Sequence, residues 1–253
     1  MNLFDWIFPK NTTSGDDGRY TQLRPAPLIS TIERLELRIL ERFPDSGLGR
    51  VCRDFRVQAE RAEALVARLD APIWPVRLAS WVAIFLVILV VFQGFRLVLQ
   101  SLAATTLTIS DFLQSSESAI NEFIFLAIAL YFLTSIETRL KRRVALKALH
   151  RLRSLAHVID MHQLTKTPKI GVSSVMQETE SSPTRSLSNF ELSRYLDYCS
   201  EMLALIAKTA VLFVQNQDDP VLLEAVNDLE SLTQGLSGKI WQKIMILDLS
   251  DGL

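Results

Sequence analysis

The side chains best placed by type and spacing to do chemistry are two histidines and an aspartate near residue 160. His157, Asp160 and His162 lie close together, and His150 comes one heptad before His157. On a helix, His150 and His157 share a face and Asp160 lies one turn from His157, a spacing that suits a divalent metal or a proton-linked switch. His157 and His162 are too far out of phase to point the same way. We therefore favour a solvated or hydrogen-bonded His–Asp pair and keep a switch at these three residues as the alternative.

A second polar group lies in or near the most apolar part of the chain: Gln93, Arg96, Asn121 and Glu122. An ionisable residue inside a membrane span marks an ion path, a proton relay or a subunit contact. Arg96 can also reach water through its own long side chain, because it lies about one turn from the end of its apolar run. We expect a pore or a subunit contact at these four residues, with snorkelling as the simpler explanation for Arg96.

Motifs of known catalytic sites are missing from the sequence. There is no GxxxxGK[ST], GxGxxG, GxSxG or HExxH, and the only cysteines, Cys52 and Cys199, have no CxxC spacing. Both cysteines fall on apolar helix faces, where a free thiol packs as a small hydrophobe, as in a reducing compartment. The sequence predicts no enzyme, no cofactor and no bound metal.

Two apolar segments predict a transmembrane hairpin. Residues 78–92 read LASWVAIFLVILVVF without a charge, and a helix over 78–99 would be about 33 Å long, enough for a hydrocarbon core of about 30 Å. Residues 119–136 read AINEFIFLAIALYFLTSI, and their uninterrupted apolar part reaches only about 21 Å. The second span therefore needs a thinned membrane or protein neighbours. A buried hairpin in a soluble protein is the alternative.

Lysine and arginine near these segments predict the orientation. They flank both segments on their outer sides, at 61–77 and 139–153, and are absent from 100–122. By the positive-inside rule both termini face the cytoplasm and the Ser/Thr-rich acidic connection lies outside, as in a bacterial-type inner membrane. The basic run at 139–153 is expected to meet lipid head groups rather than nucleic acid.

Apolar residues outside the hairpin recur at alternating spacings of four and three, which is typical of packed helices. No strand-type alternation is present, so the predicted fold is all-α: a two-span hairpin with cytoplasmic helical-bundle or coiled-coil-like segments. The apolar stripes are Ile32, Leu35, Ile39 and Phe43; Leu48, Cys52, Phe55, Ala59, Ala62, Val66 and Leu69; Ala145, Leu149, Leu152, Ala156 and Ile159; Leu192, Leu196, Cys199, Leu203, Ile206, Ala210 and Phe213; and Leu222, Val226, Leu229, Leu236, Ile240, Ile244 and Leu247.

Turn and capping residues divide the chain into six parts. Pro44 to Gly47 is a turn, Ser188 with Glu191 forms a capping box, and Asp219-Pro220 starts the last helix, which Gly235 and Gly238 could break. The parts are a leader that is flexible or touches the membrane, 1–28; a helical hairpin, 29–71; the transmembrane hairpin, 72–138; a basic helix, 139–166; a Ser/Thr/Pro-rich flexible linker, 167–187; and the C-terminal helices, 188–253.

These features favour a membrane-anchored assembly or adaptor protein whose cytoplasmic helices oligomerise or recruit a partner. The alternative is a homo-oligomeric ion channel or membrane-permeabilising effector with a sensing bundle, since two spans cannot enclose a pore alone. The expected partners are membrane lipids and further copies or members of a membrane complex, with no nucleic acid. Tyr195, Tyr198 and Trp241 are expected in or at the edge of the core rather than in a binding groove.

Overall fold

The computed structural model of the chain describes residues 22–104, 109–166 and 187–251. Over these ranges every regular element is an α-helix and no strand is present, which confirms the all-α prediction. The predicted linker at 167–187, apart from its last residue, and most of the predicted leader lie outside the described residues. The helices are α1 (Pro25–Arg42), α2 (Gly47–Asp70), α3 (Trp74–Ala104), α4 (Ile109–Leu164), α5 (Asn189–Val211) and α6 (Pro220–Asp251).

Local side-chain chemistry fixes where these helices begin. Proline at N1 starts α1 at Pro25, four residues before the predicted start. The Ser46 hydroxyl accepts a hydrogen bond from a backbone N–H in the first turn of α2 at 3.3 Å. The predicted capping box of Ser188 and Glu191 is confirmed at α5, and the Asp219 carboxylate accepts two backbone N–H groups at the start of α6, at 3.0 and 3.2 Å.

Helices α3 and α4 are longer than the sequence predicted. The stretch 100–122 was expected as a loop, but α3 continues to Ala104 and α4 begins at Ile109. The chain has no glycine or proline between Gly94 and Pro168, so neither of the two helix-breaking residues limits the extension of α3 to Ala104 or of α4 from Ile109. As a result the second apolar segment and the basic helix form one continuous helix of 56 residues.

The chain divides into two compact units. We call residues Met1–Val66 with Leu146–Leu253 the bundle unit, and Ala67–Ala145 the hairpin unit. The bundle unit contains α1, most of α2, the C-terminal part of α4, and α5 and α6. Helices from the two ends of the chain therefore share one unit, a question that the sequence left open.

The core of the bundle unit consists of the predicted apolar stripes. Every stripe residue on α1, α5 and α6 is buried, as are those of α2 up to Val66 and those of α4 from Leu149 onward. Phe55, Met202 and Phe213 are among the largest side chains that are fully buried. The bundle thus fills its core within a single chain, and burying this apolar surface is the main force that holds it together.

Contacts at the edge of this core join the N-terminal helices to α5. The Arg38 guanidinium on α1 pairs with the Glu201 carboxylate on α5 at 2.6 Å. The Phe43 ring packs edge-on against the rings of Tyr195 and Tyr198, with ring centres 5.6 and 6.3 Å apart. Tyr195 and Tyr198 are buried as predicted, whereas Trp241 is exposed. The expectation of a core or core-edge position was therefore wrong for Trp241, whose side chain is 59% exposed.

In the hairpin unit, α3 and the N-terminal part of α4 run antiparallel. The Ser80 hydroxyl donates to the Leu133 carbonyl at 3.3 Å, and a Cβ added to Gly94 would lie 3.9 Å from the Glu122 carboxylate. Two stretches of the described chain are long and apolar enough to cross a membrane, one within 47–96 and one within 120–164, and no residue of their most apolar windows is buried.

Candidate functional site

The four polar residues predicted in the apolar hairpin are all exposed in the single chain: Gln93, Arg96, Asn121 and Glu122. Glu122 lies near Gly94, since a Cβ added there would be 3.9 Å from its carboxylate, an ordinary van der Waals distance. Arg96 and Glu122 form no ion pair in the described part of the chain. Glu122 therefore lies against the facing helix. Gln93, Arg96 and Asn121 share no contact with one another in the described part of the hairpin.

A carboxylate that the sequence interpretation overlooked fastens the hairpin at its other end. Glu137 on α4 accepts a hydrogen bond from the backbone N–H of Ile73 at 3.2 Å and pairs with the Arg77 guanidinium at 2.6 Å. The Lys141 ammonium, one turn further along α4, approaches it to 3.1 Å. We call these four residues the Glu137 clasp. They tie the start of α3 to α4 just outside the apolar segment, and the clasp leaves little of the carboxylate exposed.

The clasp sets the pKa of Glu137. Partial burial alone would raise this pKa, but the bonds from Arg77, Ile73 and Lys141 together outweigh burial and lower the pKa to about 2. A carboxyl group whose folded pKa lies below its unfolded value of about 4.5 stabilises the folded chain above that value. The stabilisation is lost as the pH falls from 4.5 toward 2.

Replacing Glu137 by Gln should therefore lower stability at neutral pH, and the difference from the wild type should shrink as the pH falls below 4.5. Thermal unfolding of the detergent-solubilised protein from pH 7 to pH 2.5 measures this difference. The exposed Glu33→Gln variant reports the general effect of removing one carboxyl group. A Glu137→Gln difference that stays constant across the range would show that the clasp does not stabilise the charged carboxylate.

The histidine cluster predicted from spacing is dispersed in the structure. His157 is exposed, Asp160 accepts a hydrogen bond from the Gln163 amide at 2.6 Å, and His162 is half-buried. No hydrogen bond joins His157, Asp160 and His162, and the residues that the structure describes contain no group of three His, Cys, Asp or Glu side chains that could hold a metal ion. The remaining candidate for a pH response is His162.

His162 packs against the N-terminal end of α2. Its imidazole occupies the space that a side chain at Gly47 would need. Burial, followed by the positive charges of Arg50 and Lys166, lowers the pKa of His162 below 6.5. The N-terminal end of a helix carries partial positive charge as well, so the site holds a neutral imidazole better than an imidazolium.

Because the folded pKa of His162 is depressed, its contribution to stability is complete above pH 6.5 and is lost as the pH falls through the folded value. We expect the melting temperature of the wild type to fall between pH 7.5 and 5.5 by more than that of His162→Gln. The His157→Gln variant, which changes an exposed histidine, should fall as the wild type does. Equal responses of wild type and His162→Gln would exclude His162 as the pH-sensitive group.

A partly buried polar network lies beside this histidine at the end of α4. The Lys243 ammonium on α6 donates to the Gln163 side-chain oxygen at 2.6 Å and to the Gln163 carbonyl at 2.9 Å. The Gln163 carbonyl in the last turn of α4 also accepts the Lys166 backbone N–H at 3.1 Å, and the ammonium places a positive charge at the negative end of the helix dipole. Burial lowers the pKa of Lys243, while Asp160 raises it. The network fixes where α4 ends against α6.

A buried carboxylate joins α1 to α2. The Glu36 carboxylate is buried and accepts from the Arg53 guanidinium at 3.1 Å and from the Arg56 guanidinium at 2.8 Å. Cys52 lies near this group, and burial together with Glu36 raises the pKa of its thiol to about 12. The thiol is therefore protonated and unreactive at neutral pH.

The sequence contained a signal for these overlooked residues. Gln163 comes four residues after Ile159 and therefore occupies the next position of the apolar stripe of α4. A polar residue at such a position is buried when the stripe is buried, and a buried polar group needs a partner. Glu137 could have been found as the acid directly after the second apolar segment, opposite Arg77 in an antiparallel hairpin.

The fold and these contacts define the class of the protein. It is an all-helical chain that combines a self-contained helical bundle with two helices long and apolar enough to cross a membrane. The chain matches no model of a known family, and no curated protein or solved structure matches it either.

Proposed function

We propose that the protein is a membrane-anchored assembly protein without enzymatic activity. The apolar parts of α3 and α4 cross a bilayer as a helical hairpin, and both ends of the chain lie in the cytoplasm. The bundle unit lies on the cytoplasmic side and belongs to an oligomer or a membrane complex. A bacterial-type inner membrane is the proposed location.

The observation that carries this proposal is the contrast between the two units. The bundle unit buries its large apolar stripes, while the apolar side chains described in the two membrane segments are exposed or only half-buried. A large contiguous apolar surface in water is unfavourable, and lipid is the solvent in which it is stable. The exposed side chains include Trp81, Phe85, Leu86, Ile88, Leu89, Val90, Phe92, Phe123, Ile124, Phe125, Ile128, Tyr131 and Phe132.

Charges near the hairpin support the proposed orientation. The Glu137 clasp and the lysines and arginines after it follow the apolar segment of α4 directly. The clasp pairs Arg77 and Lys141 with a carboxylate at the membrane surface, where charged groups are tolerated because water remains in reach. The positive-inside rule then places this end of the hairpin in the cytoplasm.

The role in assembly rests on the inequality of the two spans. The apolar part of α4 is shorter than that of α3, and it begins next to Asn121 and Glu122, which the single chain leaves exposed. Polar groups at the edge of lipid are best satisfied by another protein surface. Since the bundle fills its own core, further copies or partners must bind to its outer faces.

Two measurements test this proposal: the resistance of the protein to extraction from the membrane, and the mass of the particle in detergent. We expect the protein to stay in the membrane pellet after alkaline carbonate washing, and to elute from mild detergent as a particle of more than one copy or with a bound partner. Native mass spectrometry gives the stoichiometry. A carbonate-soluble protein would contradict the anchor, and a lone 28.6 kDa chain both in detergent and after crosslinking in intact membranes would contradict the assembly role.

A homo-oligomeric channel is the second candidate, supported by the exposure of Gln93, Arg96, Asn121 and Glu122 on an otherwise apolar surface. In a ring of copies these side chains would line or gate a water path. Purified protein in liposomes should then conduct ions, and Arg96→Ala should change the rate or the selectivity. Liposomes without flux, prepared from an oligomeric sample, would leave only the anchored assembly.

A further inference from the structure

A groove between α2 and α4 on the surface of the bundle unit brings two arginines together. Arg61 lines the groove from α2, and Arg151 lines it from α4. The groove has a volume of about 460 Å³, which lies within the range of roughly 300–1,000 Å³ that is usual for small-molecule sites. Both arginine side chains are exposed, so a ligand can reach them from solution.

These two arginines have no ion-pair partner in the part of the chain that the structure describes. No acid stands three or four residues before or after either of them, so neither can form an ion pair within its own helix. Neighbouring arginines differ in this respect, because Arg56 is paired with Glu60 and Arg153 lies 3.9 Å from Asp228 on α6. Two uncompensated guanidinium groups therefore face one groove.

The packing of α2 and α4 sets the distance between these arginines. His162 packs against Gly47, and the groove lies later in α2 and earlier in α4, so the two helices run antiparallel. Gln58 comes eleven residues after Gly47 in α2. Arg151 comes eleven residues before His162 in α4, so it lies at about the level of Gln58. Arg61 lies three residues beyond that level, or about 4.5 Å along the helix axis.

We propose that this groove binds a phosphorylated ligand, with the phosphate group between Arg61 and Arg151. The inference goes beyond the proposed assembly role and does not depend on it. A phosphate monoester carries up to two negative charges and three free oxygens, so it accepts hydrogen bonds from two guanidinium groups at once. The Gln58 side chain lines the same part of the groove, has no hydrogen bond in the described residues and supplies a further donor.

The rest of the groove suits the remainder of such a ligand. Val57, Leu155 and Val158 line it with apolar surface. Asp54 also lines it, seven residues before Arg61 on α2 and therefore about 10 Å away along the axis. Its carboxylate repels a phosphate but accepts a hydrogen bond from a hydroxyl or amino group. A soluble phosphate ester and a lipid head group both combine these groups.

Arginine modification followed by peptide mass spectrometry tests the site in the full-length protein. The protein is kept in dodecyl maltoside, a detergent without phosphate, and treated with phenylglyoxal, which reacts with exposed guanidinium groups. Inorganic phosphate should protect Arg61 and Arg151 at a lower concentration than glutamate does at equal ionic strength. Arg34, an exposed arginine on α1, should stay unprotected. Equal protection by the two anions, or equal protection of Arg34, would contradict the site.

Two further samples distinguish the sources of the phosphate group. Stronger protection by adenosine monophosphate than by inorganic phosphate would indicate a soluble ester. Protection in nanodiscs that contain phosphatidylglycerol, without added phosphate, would indicate a lipid head group. Either result supports the proposal, and a groove in which neither ester protects the two arginines would overturn it. Because the site lies within the bundle unit, its failure would leave the anchor and the assembly role standing.

Single substitutions show whether the two arginines act together. In Arg151→Gln, the phosphate concentration that half-protects Arg61 should rise about tenfold or more, because the anion loses a set of charge-assisted hydrogen bonds. Arg61→Gln should have the same effect on Arg151. Arg153→Gln removes an equal charge from α4 but faces Asp228, so it should change neither value. An equal effect of Arg153→Gln would show that the general charge of α4 attracts phosphate.

Asp54→Asn tests the position of the phosphate with the opposite sign. Asp54 is the one carboxylate among the described side chains that line the groove. Removing its charge should lower the half-protecting phosphate concentration about twofold. Glu33→Gln on α1 should leave this concentration unchanged. All of these substituted side chains are exposed, so the melting temperature should stay near that of the wild type. Equal phosphate protection in Asp54→Asn and the wild type would place the anion outside the groove.

Discussion

Replacing Phe55 by Ala is expected to destabilise helices from both ends of the chain together. Phe55 on α2 is fully buried among the largest side chains of the bundle core. Truncating a buried phenylalanine removes its transfer free energy and leaves a cavity, which lowers the free energy of unfolding by about 3–5 kcal/mol. Because α1, α2, α5 and α6 belong to one unit, the loss should appear in α5 and α6 as well as in α2.

Urea unfolding in mild detergent measures the free energy, and amide hydrogen exchange of α5 and α6 shows which helices open. Leu37→Ala is the matched control, because Leu37 is 53% exposed on α1, and a substitution on the surface should change stability by less than about 0.5 kcal/mol. If Phe55→Ala leaves the exchange protection of α5 and α6 unchanged, the two ends of the chain unfold as separate bundles.

Replacing Ile88 by Arg should strongly weaken the insertion of the hairpin into the membrane. Ile88 lies at the middle of the apolar segment of α3 and is 53% exposed. An arginine at the centre of a span raises the apparent free energy of insertion by about 3–4 kcal/mol relative to isoleucine, which is a roughly 100-fold or larger shift toward the uninserted state. The carbonate-resistant fraction of the protein should fall accordingly.

Leu37→Arg is the control for this prediction, because Leu37 in the bundle unit has the same exposed fraction as Ile88. If both side chains faced water, the two substitutions would have the same small effect. A difference in carbonate resistance between the two variants therefore shows that the two side chains face different surroundings, lipid for Ile88 and water for Leu37. Equal carbonate resistance of the two variants would show that α3 does not lie in lipid.

Periodicity predicted the bundle core well, and the physical reason is simple. Residues spaced by four and three share a helix face, and any helix of a compact unit buries its apolar face. The stripe through Leu196, Cys199 and Leu203 is an example in which every member is buried. A capping box joins residues that are only three positions apart, so the one formed by Ser188 and Glu191 could be predicted directly from the sequence.

Tertiary partners could not be predicted in the same way. The spacing of His157, Asp160 and His162 suggested a cluster, but Asp160 bonds to Gln163 and His162 packs against Gly47, which is more than a hundred residues away in the chain. Only the arrangement of α2 beside α4 creates that contact. The Glu137 clasp depends in the same way on which residues the antiparallel hairpin brings together.

Helix boundaries were predicted incorrectly because the residues taken as helix breaks act only weakly. Ser, Thr and Asp in 100–122 suggested a loop over the whole stretch, yet without glycine or proline most of it is helical, since α3 extends to Ala104 and α4 begins at Ile109. Gly235 and Gly238 suggested a break, but α6 continues through both. A glycine lowers helix stability by about 1 kcal/mol, which the buried stripe on the other face offsets.

The central claim, that the hairpin anchors the bundle to the membrane with both ends inside, is tested most directly by topology. A reporter enzyme that is active only outside the cytoplasm would be fused to the N-terminus, to the C-terminus and after Ser115, which lies between the two apolar segments. We predict activity for the Ser115 fusion alone. Activity at either terminus, or no activity at Ser115 in a protein that remains in the membrane, would contradict the account.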